Sequence, residues 1–205
     1  MRNILKMVAF IGAVCTAQAQ GTSEALTAYT LPSAAGFVSG TGGWAFTPTT
    51  GISVTSLGCL QYLVGAQGGM QVGLWASSGQ LMASASIAAT NPAVNFTLYA
   101  AINEVFLNAG STYAVGVYSP SGGVLLNLVT QNVDGSATLS PDVQLLGSAT
   151  GTPGFTYPGT VGANTTLLLG PNFQYRPTIP EPSALALLAL AGVGWLTCRR
   201  GRRSG

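Results

Sequence analysis

Between Gly36 and Tyr175 apolar residues recur with a period of two, and no stretch keeps a helical apolar period over three turns. Met70, Val72 and Leu74 alternate with Gln71, Gly73 and Trp75. After Ala76-Ser77-Ser78-Gly79, Leu81, Ala83, Ala85 and Ile87 alternate with Gln80, Met82, Ser84 and Ser86. Such alternation across a Gly-containing turn predicts a hairpin with one buried face. Val94, Phe96 and Leu98 predict one face of a further strand, and Tyr113, Val115 and Val117 one face of another; Gly42–Phe46 and Ile52–Leu57 give earlier strands. Pro48-Thr49-Thr50-Gly51, Asn108-Ala109-Gly110 and Pro120-Ser121-Gly122-Gly123 are turn sequences, in which Gly supplies positive φ and Pro presets the entry angle. From Thr130 to Asn164 the pattern fades into Gly, Ser, Thr and Pro, predicting irregular structure with one or two short strands. Thr165–Leu169 and Asn172–Tyr175, broken by Gly170-Pro171, read as closing strands. The expected fold is all-β: an antiparallel, jelly-roll-like β-sandwich of about eight to ten strands over residues 37–176, preceded by a weakly ordered lead-in at 20–36.

The two ends follow other rules. Arg2 and Lys6, the apolar stretch Met7–Val14 and the small-x-small site at Ala17 and Ala19 make residues 1–19 a secretory signal helix, with cleavage leaving Gln20 first. Val14 stands where a lipobox before Cys15 carries Gly or Ala, so an ordinary signal peptidase fits this site. At residues 177–205 a short linker and Pro180-Glu181-Pro182 are followed by the uncharged run Ser183–Cys198 and then by Arg199, Arg200, Arg202 and Arg203. An apolar run backed by arginines stops a chain in a bilayer with the charge on the cytoplasmic side. As a helix this run is about 24 Å long against a hydrocarbon core of roughly 30 Å, which makes it a marginal permanent transmembrane anchor.

These three parts, in this order, resemble the PEP-CTERM sorting signal of bacterial exported proteins, over about one eighth of the chain. The resemblance implies recognition by an exosortase, a membrane-embedded cysteine transpeptidase-like enzyme that cuts near the Pro-Glu-Pro. Pro180, Glu181, Pro182, Arg199, Arg200, Arg202 and Arg203 then become sorting and processing residues. The implied partners are that enzyme, signal peptidase and the export machinery, with transient membrane insertion before processing and a surface or extracellular destination after it.

Charge narrows the function. Residues 20–182 hold five carboxylates, Glu24, Glu104, Asp134, Asp142 and Glu181, against Arg176 alone. The basic footprint that dominates nucleic-acid binding is missing. The chain has no histidine, which removes Ser–His and Cys–His catalysis and His-based zinc sites. Cys15 leaves with the signal and Cys198 lies in the tail, so Cys59 stands alone in the body, where a buried small hydrophobe is expected and no intramolecular disulfide can form.

Gly43-Trp44-Ala45-Phe46, Ile52-Ser53-Val54-Thr55-Ser56-Leu57-Gly58, Val72-Gly73-Leu74-Trp75, Ser78-Gly79-Gln80-Leu81 and Gly110-Ser111-Thr112-Tyr113-Ala114-Val115-Gly116 together resemble an uncharacterised β-sandwich domain of bacterial exported proteins. That family carries an Asp before the hairpin Ser-Gly where this chain has Ala76, and the resemblance brings no catalytic residues.

Candidate chemistry is sparse. Trp75 and Tyr99 fall opposite their strands' apolar residues, and Tyr118 follows Val117 in the same way. If exposed, these rings would form a stacking platform for sugar rings, whose hydroxyls hydrogen-bond to Asn and Gln; a covering layer or loop would instead bury them. Trp44 reads as core. Asp134 and Asp142 lie in a Gly/Ser/Asn-rich stretch, but Asn132-Val133-Asp134-Gly135 is a turn sequence and a calcium site would gather more acids, so no metal or cofactor is expected. The expected protein is a non-enzymatic, exported surface or matrix protein associated with exopolysaccharide, a setting that the PEP-CTERM resemblance implies. The rivals are a small glycan-active enzyme using carboxylates alone, which needs two acids about 5 to 9 Å apart, and a tail-anchored structural protein.

Overall fold

The computed structural model describes residues 21–30, 36–122, 124–130, 137–162 and 166–178. In chain order its elements begin with β1 (Ser23–Glu24), β2 (Leu26–Tyr29), β3 (Gly36–Val38), β4 (Gly40–Pro48), β5 (Ile52–Leu60) and the two-turn helix α1 (Gln61–Gln67). There follow β6 (Met70–Ala76), β7 (Leu81–Ile87), β8 (Ala93–Val94), β9 (Thr97–Leu107), β10 (Tyr113–Tyr118) and β11 (Val124–Thr130). The last are β12 (Ala137–Leu139), β13 (Val143–Pro153), β14 (Thr160–Val161), β15 (Thr166–Leu169) and β16 (Pro171–Pro177).

Two large sheets carry the body, one in the order β1-β16-β5-β9-β8 and the other β14-β13-β4-β10-β6-β7. Every ladder in them is antiparallel. Smaller sheets, β15-β11-β3 and β12-β2, flank them. The large sheets share one core: Trp44 and Phe46 of β4 meet Phe173 of β16 with ring centroids 5.8 and 5.0 Å apart. The Trp44 indole N–H is satisfied by the Pro171 carbonyl at 3.1 Å, so a large amphipathic ring is buried without an orphan donor. This arrangement of two antiparallel sheets over a common apolar layer is that of a sandwich. Alternation works as expected where it is strict: Met70, Val72, Leu74, Tyr113, Val115 and Val117 are all buried in that layer. Cys59 is buried as well.

Several expectations are corrected. The described residues form sixteen strands instead of eight to ten, five of them only two or three residues long. Val94, Phe96 and Leu98 do not share a face, because Asn95 takes a left-handed conformation (φ 51°) and breaks the strand parity. Leu98 is buried, whereas Phe96 is 68% exposed. The stretch read as irregular holds the eleven-residue β13, whose inward Val143 and Leu145 pack along β4, and after a register shift at Gly147 Ala149 is buried beside Gly43 on the other face. The segment read as a weakly ordered lead-in supplies β1 and β2, with Ala25 and Leu26 buried. The expected N-terminal signal helix and C-terminal apolar helix lie outside the described residues; among the described residues no helix is long and apolar enough to cross a membrane.

Candidate functional site

The three rings expected as a platform separate into two places. Trp75 lies on the outer face of the six-stranded sheet, in a hollow made by glycines: Gly43, Gly116 and Gly73 are directly opposed across β4, β10 and β6. A Cβ on Gly73 would collide with the Trp75 ring, and one on Gly116 would come within 3.4 Å of it. Phe155, from the loop after β13, packs on Trp75 at 5.1 Å and reaches Tyr118 at 6.4 Å. Trp75 is therefore only 3% exposed, and its expected role as an open stacking face is corrected. Tyr118 and Phe155 stay half-buried beside it.

Tyr99 belongs to the other sheet and is buried by the same device. In the row Asn172, Gly58, Tyr99 across β16, β5 and β9, the ring lies over Gly58 and its hydroxyl reaches Asn172. The Asn172 Nδ2 donates to that hydroxyl at 2.8 Å, and the hydroxyl donates to Glu24 Oε1 at 2.7 Å. Asn172 also takes the Leu26 N–H at 2.9 Å and donates to the Leu26 carbonyl at 3.0 Å, which pins the first strands to this sheet. Burial, and after it the hydrogen bond to Glu24, pushes the Tyr99 phenol far above its usual pKa.

Tyr99 thus holds Glu24 from below, and above Glu24 a cavity of about 150 Å³ opens. Glu24, Tyr29, Asn95, Phe96 and Thr97 line it. Asn95 donates from Nδ2 to the second Glu24 oxygen, a contact that its left-handed backbone allows. Phe96 meets the edge of Tyr29 at 6.1 Å with the ring planes 77° apart, leaving much of its own face open. The sequence reading set Phe96 on one strand face with Val94 and Leu98 and gave Glu24 no site. The available signal was Asn95, a residue type that enters left-handed conformations more readily than most.

A second hollow of about 740 Å³ lies between β7 and β9, and Glu104 is the single carboxylate in its lining. Among the described residues no three His, Cys, Asp or Glu side chains gather as a metal-holding group. Asp142 accepts from the Tyr175 hydroxyl at 2.9 Å, and Asp134 lies outside the described residues.

The last described residues lie at the Ile52 end of β5, in the five-stranded sheet. Pro177 pairs with Ile52, and Thr178 donates to the Gly51 carbonyl from both its N–H and its hydroxyl, each at 2.8 Å. A Cβ on residue 51 would lie 2.5 Å from the Thr178 hydroxyl and 3.3 Å from the Phe106 ring, so a side chain there would turn that hydroxyl away. The final strand is therefore tied down to its last residue.

Residues 178–203 match the PEP-CTERM protein-sorting motif. The motif begins at Thr178, the residue hydrogen-bonded to Gly51. A PEP-CTERM tail marks an exported protein that is associated with the membrane at its C-terminus before an exosortase processes it. Pro180, Glu181, Pro182, Arg199, Arg200, Arg202 and Arg203 all fall inside the match. Like Ala17 and Ala19, they lie outside the described residues. No curated protein matches the chain.

Proposed function

We propose that the protein is a non-enzymatic surface or extracellular-matrix protein, delivered through its PEP-CTERM tail and associated with exopolysaccharide. The observation that carries this reading is the junction: Thr178 is tied to Gly51 of the body, and the sorting motif starts on that same residue. Such a layout separates cargo from address at one point, so that processing near Pro180–Pro182 would release an intact body.

The groove above Tyr99 is the surface best suited to a polysaccharide. It offers an open aromatic face at Phe96 beside the acceptor Glu24 and the amide of Asn95, the pairing that a sugar ring and its hydroxyls require. Each of the two hollows named above contains one carboxylate, which gives the rival of paired-acid glycoside chemistry no foothold there.

Two measurements test the reading. The intact mass of protein recovered from the medium is expected to correspond to a chain from Gln20 to the region of Pro180–Pro182; recovery of full-length chain including Arg203 would overturn it and favour a tail-anchored structural protein. Retention on the native matrix polymer is expected to fall with Phe96→Ala and to change little with salt, because the contact is stacking and neutral hydrogen bonding. Unchanged retention in a folded Phe96→Ala variant would remove the groove from the account.

A further inference from the structure

The corner where the tail leaves the body carries an aromatic ring and a cation side by side. Arg176, Ser53 and Phe106 are directly opposed across β16, β5 and β9, so their side chains share one face of the sheet. That face is the outer one: Tyr175, Ile52, Val54 and Leu107 around the row are buried, whereas Arg176 is exposed and Phe106 is 51% exposed. Arg176 is also the sole Lys or Arg between residues 20 and 182. Phe106 flanks Gly51, which accepts both hydrogen bonds from Thr178, so ring, cation and tail exit form one corner. Asp142 lies on the neighbouring loop, whose carbonyl takes the Thr49 N–H, but its carboxylate is engaged by the Tyr175 hydroxyl.

The tether fixes what this corner meets. Five peptide steps separate Thr178 from Ser183, where the uncharged run begins, and they span at most about 18 Å. The headgroup layer on one side of a bilayer takes roughly 5 to 8 Å of that length. While the run is in the membrane, Thr178 therefore stays within about 10 to 13 Å of the headgroup surface, a distance that side chains at the corner partly bridge.

We propose that the Phe106–Arg176 corner docks on an anionic lipid headgroup surface for as long as the PEP-CTERM tail is attached. The Phe106 ring enters the interfacial layer and Arg176 pairs with lipid phosphate. This inference rests on the membrane association of the uncleaved tail. Docking at this corner leaves the groove at the far end of the sheet: Thr97 of the groove pairs with Leu60, at the other end of β5 from Ile52.

The uncleaved chain beginning at Gln20, placed in vesicles of phosphatidylethanolamine and phosphatidylglycerol that contain a nitroxide-labelled lipid, provides the test. A fluorescent thiol label is introduced at Phe106→Cys, at Thr50→Cys on the same corner, or at Ala93→Cys at the far end, each with Cys198→Ser; the buried Cys59 stays unlabelled. Labels at 106 and 50 are expected to be quenched several-fold more than the label at 93. Replacing phosphatidylglycerol with phosphatidylcholine, or Arg176→Gln, is expected to lower quenching at 106 while leaving that of the tail residue Trp195 unchanged. Quenching at 106 equal to that at 93 with Trp195 quenched overturns the docking and leaves tail insertion standing. Quenching at 106 that ignores both changes reduces the contact to tethering and also overturns it. Unquenched Trp195 overturns the membrane association itself and the docking with it; Trp44 and Trp75 are buried and give only a constant background.

Discussion

Two glycines show how local space decides the effect of one methyl group. A Cβ at Gly58 would lie 2.5 Å from two atoms of the Tyr99 ring and 2.7 Å from Thr97, whereas one at Gly65 in α1 meets nothing within 4 Å. Gly58→Ala must push Tyr99 off Asn172 and Glu24, and is expected to lose about 1–3 kcal/mol in urea unfolding. Gly65→Ala is expected to gain about 0.5–1 kcal/mol, since alanine is the better helix former and the site is open. The tyrosines set a limit at high pH. Burial first, and then the hydrogen bond to Asp142, pushes the Tyr175 phenol up to about 12, and burial also raises Tyr29, Tyr62 and Tyr99. A phenol whose folded pKa exceeds its unfolded value near 10 holds its proton more tightly when folded. Its contribution is therefore complete below about pH 10 and is lost as the pH climbs towards 12. The melting temperature is expected to be flat up to about pH 9.5 and to fall above it, with tyrosinate absorbance rising together with unfolding. A melting temperature that is level to pH 12 would contradict this.

At the level of strands, β16 is the element on which most depends. It lies between β1 and β5, carries Phe173 against Trp44 and Phe46, and supplies the carbonyl that satisfies Trp44. Phe173→Ala is expected to cost about 3–5 kcal/mol. A chain ending at Thr178 is expected to melt as the longer body does, and one ending at Gly170 to lose its cooperative transition, both by circular dichroism. Closing strands at this point were legible in the sequence, as were the inward face of β10 and the hairpin of β6 and β7 except at Leu81, expected on the buried face but 44% exposed because a register shift pairs it with Trp75. β13 was not legible: Gly147, Ser148 and the threonines around them leave few apolar side chains to mark a period, and the strand is held by its ladder to β4. The outer faces were misread for a different reason. Alternation tells which side a ring takes and not whether another segment covers it, and Phe155 reaches Trp75 from a loop eighty residues away. Glycines beside an aromatic position, Gly73 for Trp75 and Gly58 for Tyr99, were the trace of that covering in the sequence. Phe96 escaped through Asn95, a single backbone angle that no count of alternating residues contains.

For the molecule as a whole, cargo and address meet at Thr178, and each should tolerate changes in the other. Deleting Pro180–Pro182 while keeping the apolar run is expected to leave the chain in the membrane fraction with its body folded, because the arginine stop remains while the processing site is gone. Fractionation and intact mass check this outcome. The body should also need no staple: with Cys59 buried and alone, neither EDTA nor a thiol reductant is expected to lower its melting temperature by more than a few degrees, and a fall above about 10 °C would contradict this. The central place of β16 has a consequence in time. β5 meets β16 across more than a hundred residues of chain, so in a chain exported N-terminus first the five-stranded sheet cannot close until Pro177 has emerged. The segment next in the queue is the PEP-CTERM motif, so the completion of folding and the arrival of the cutting site fall at the same moment of secretion.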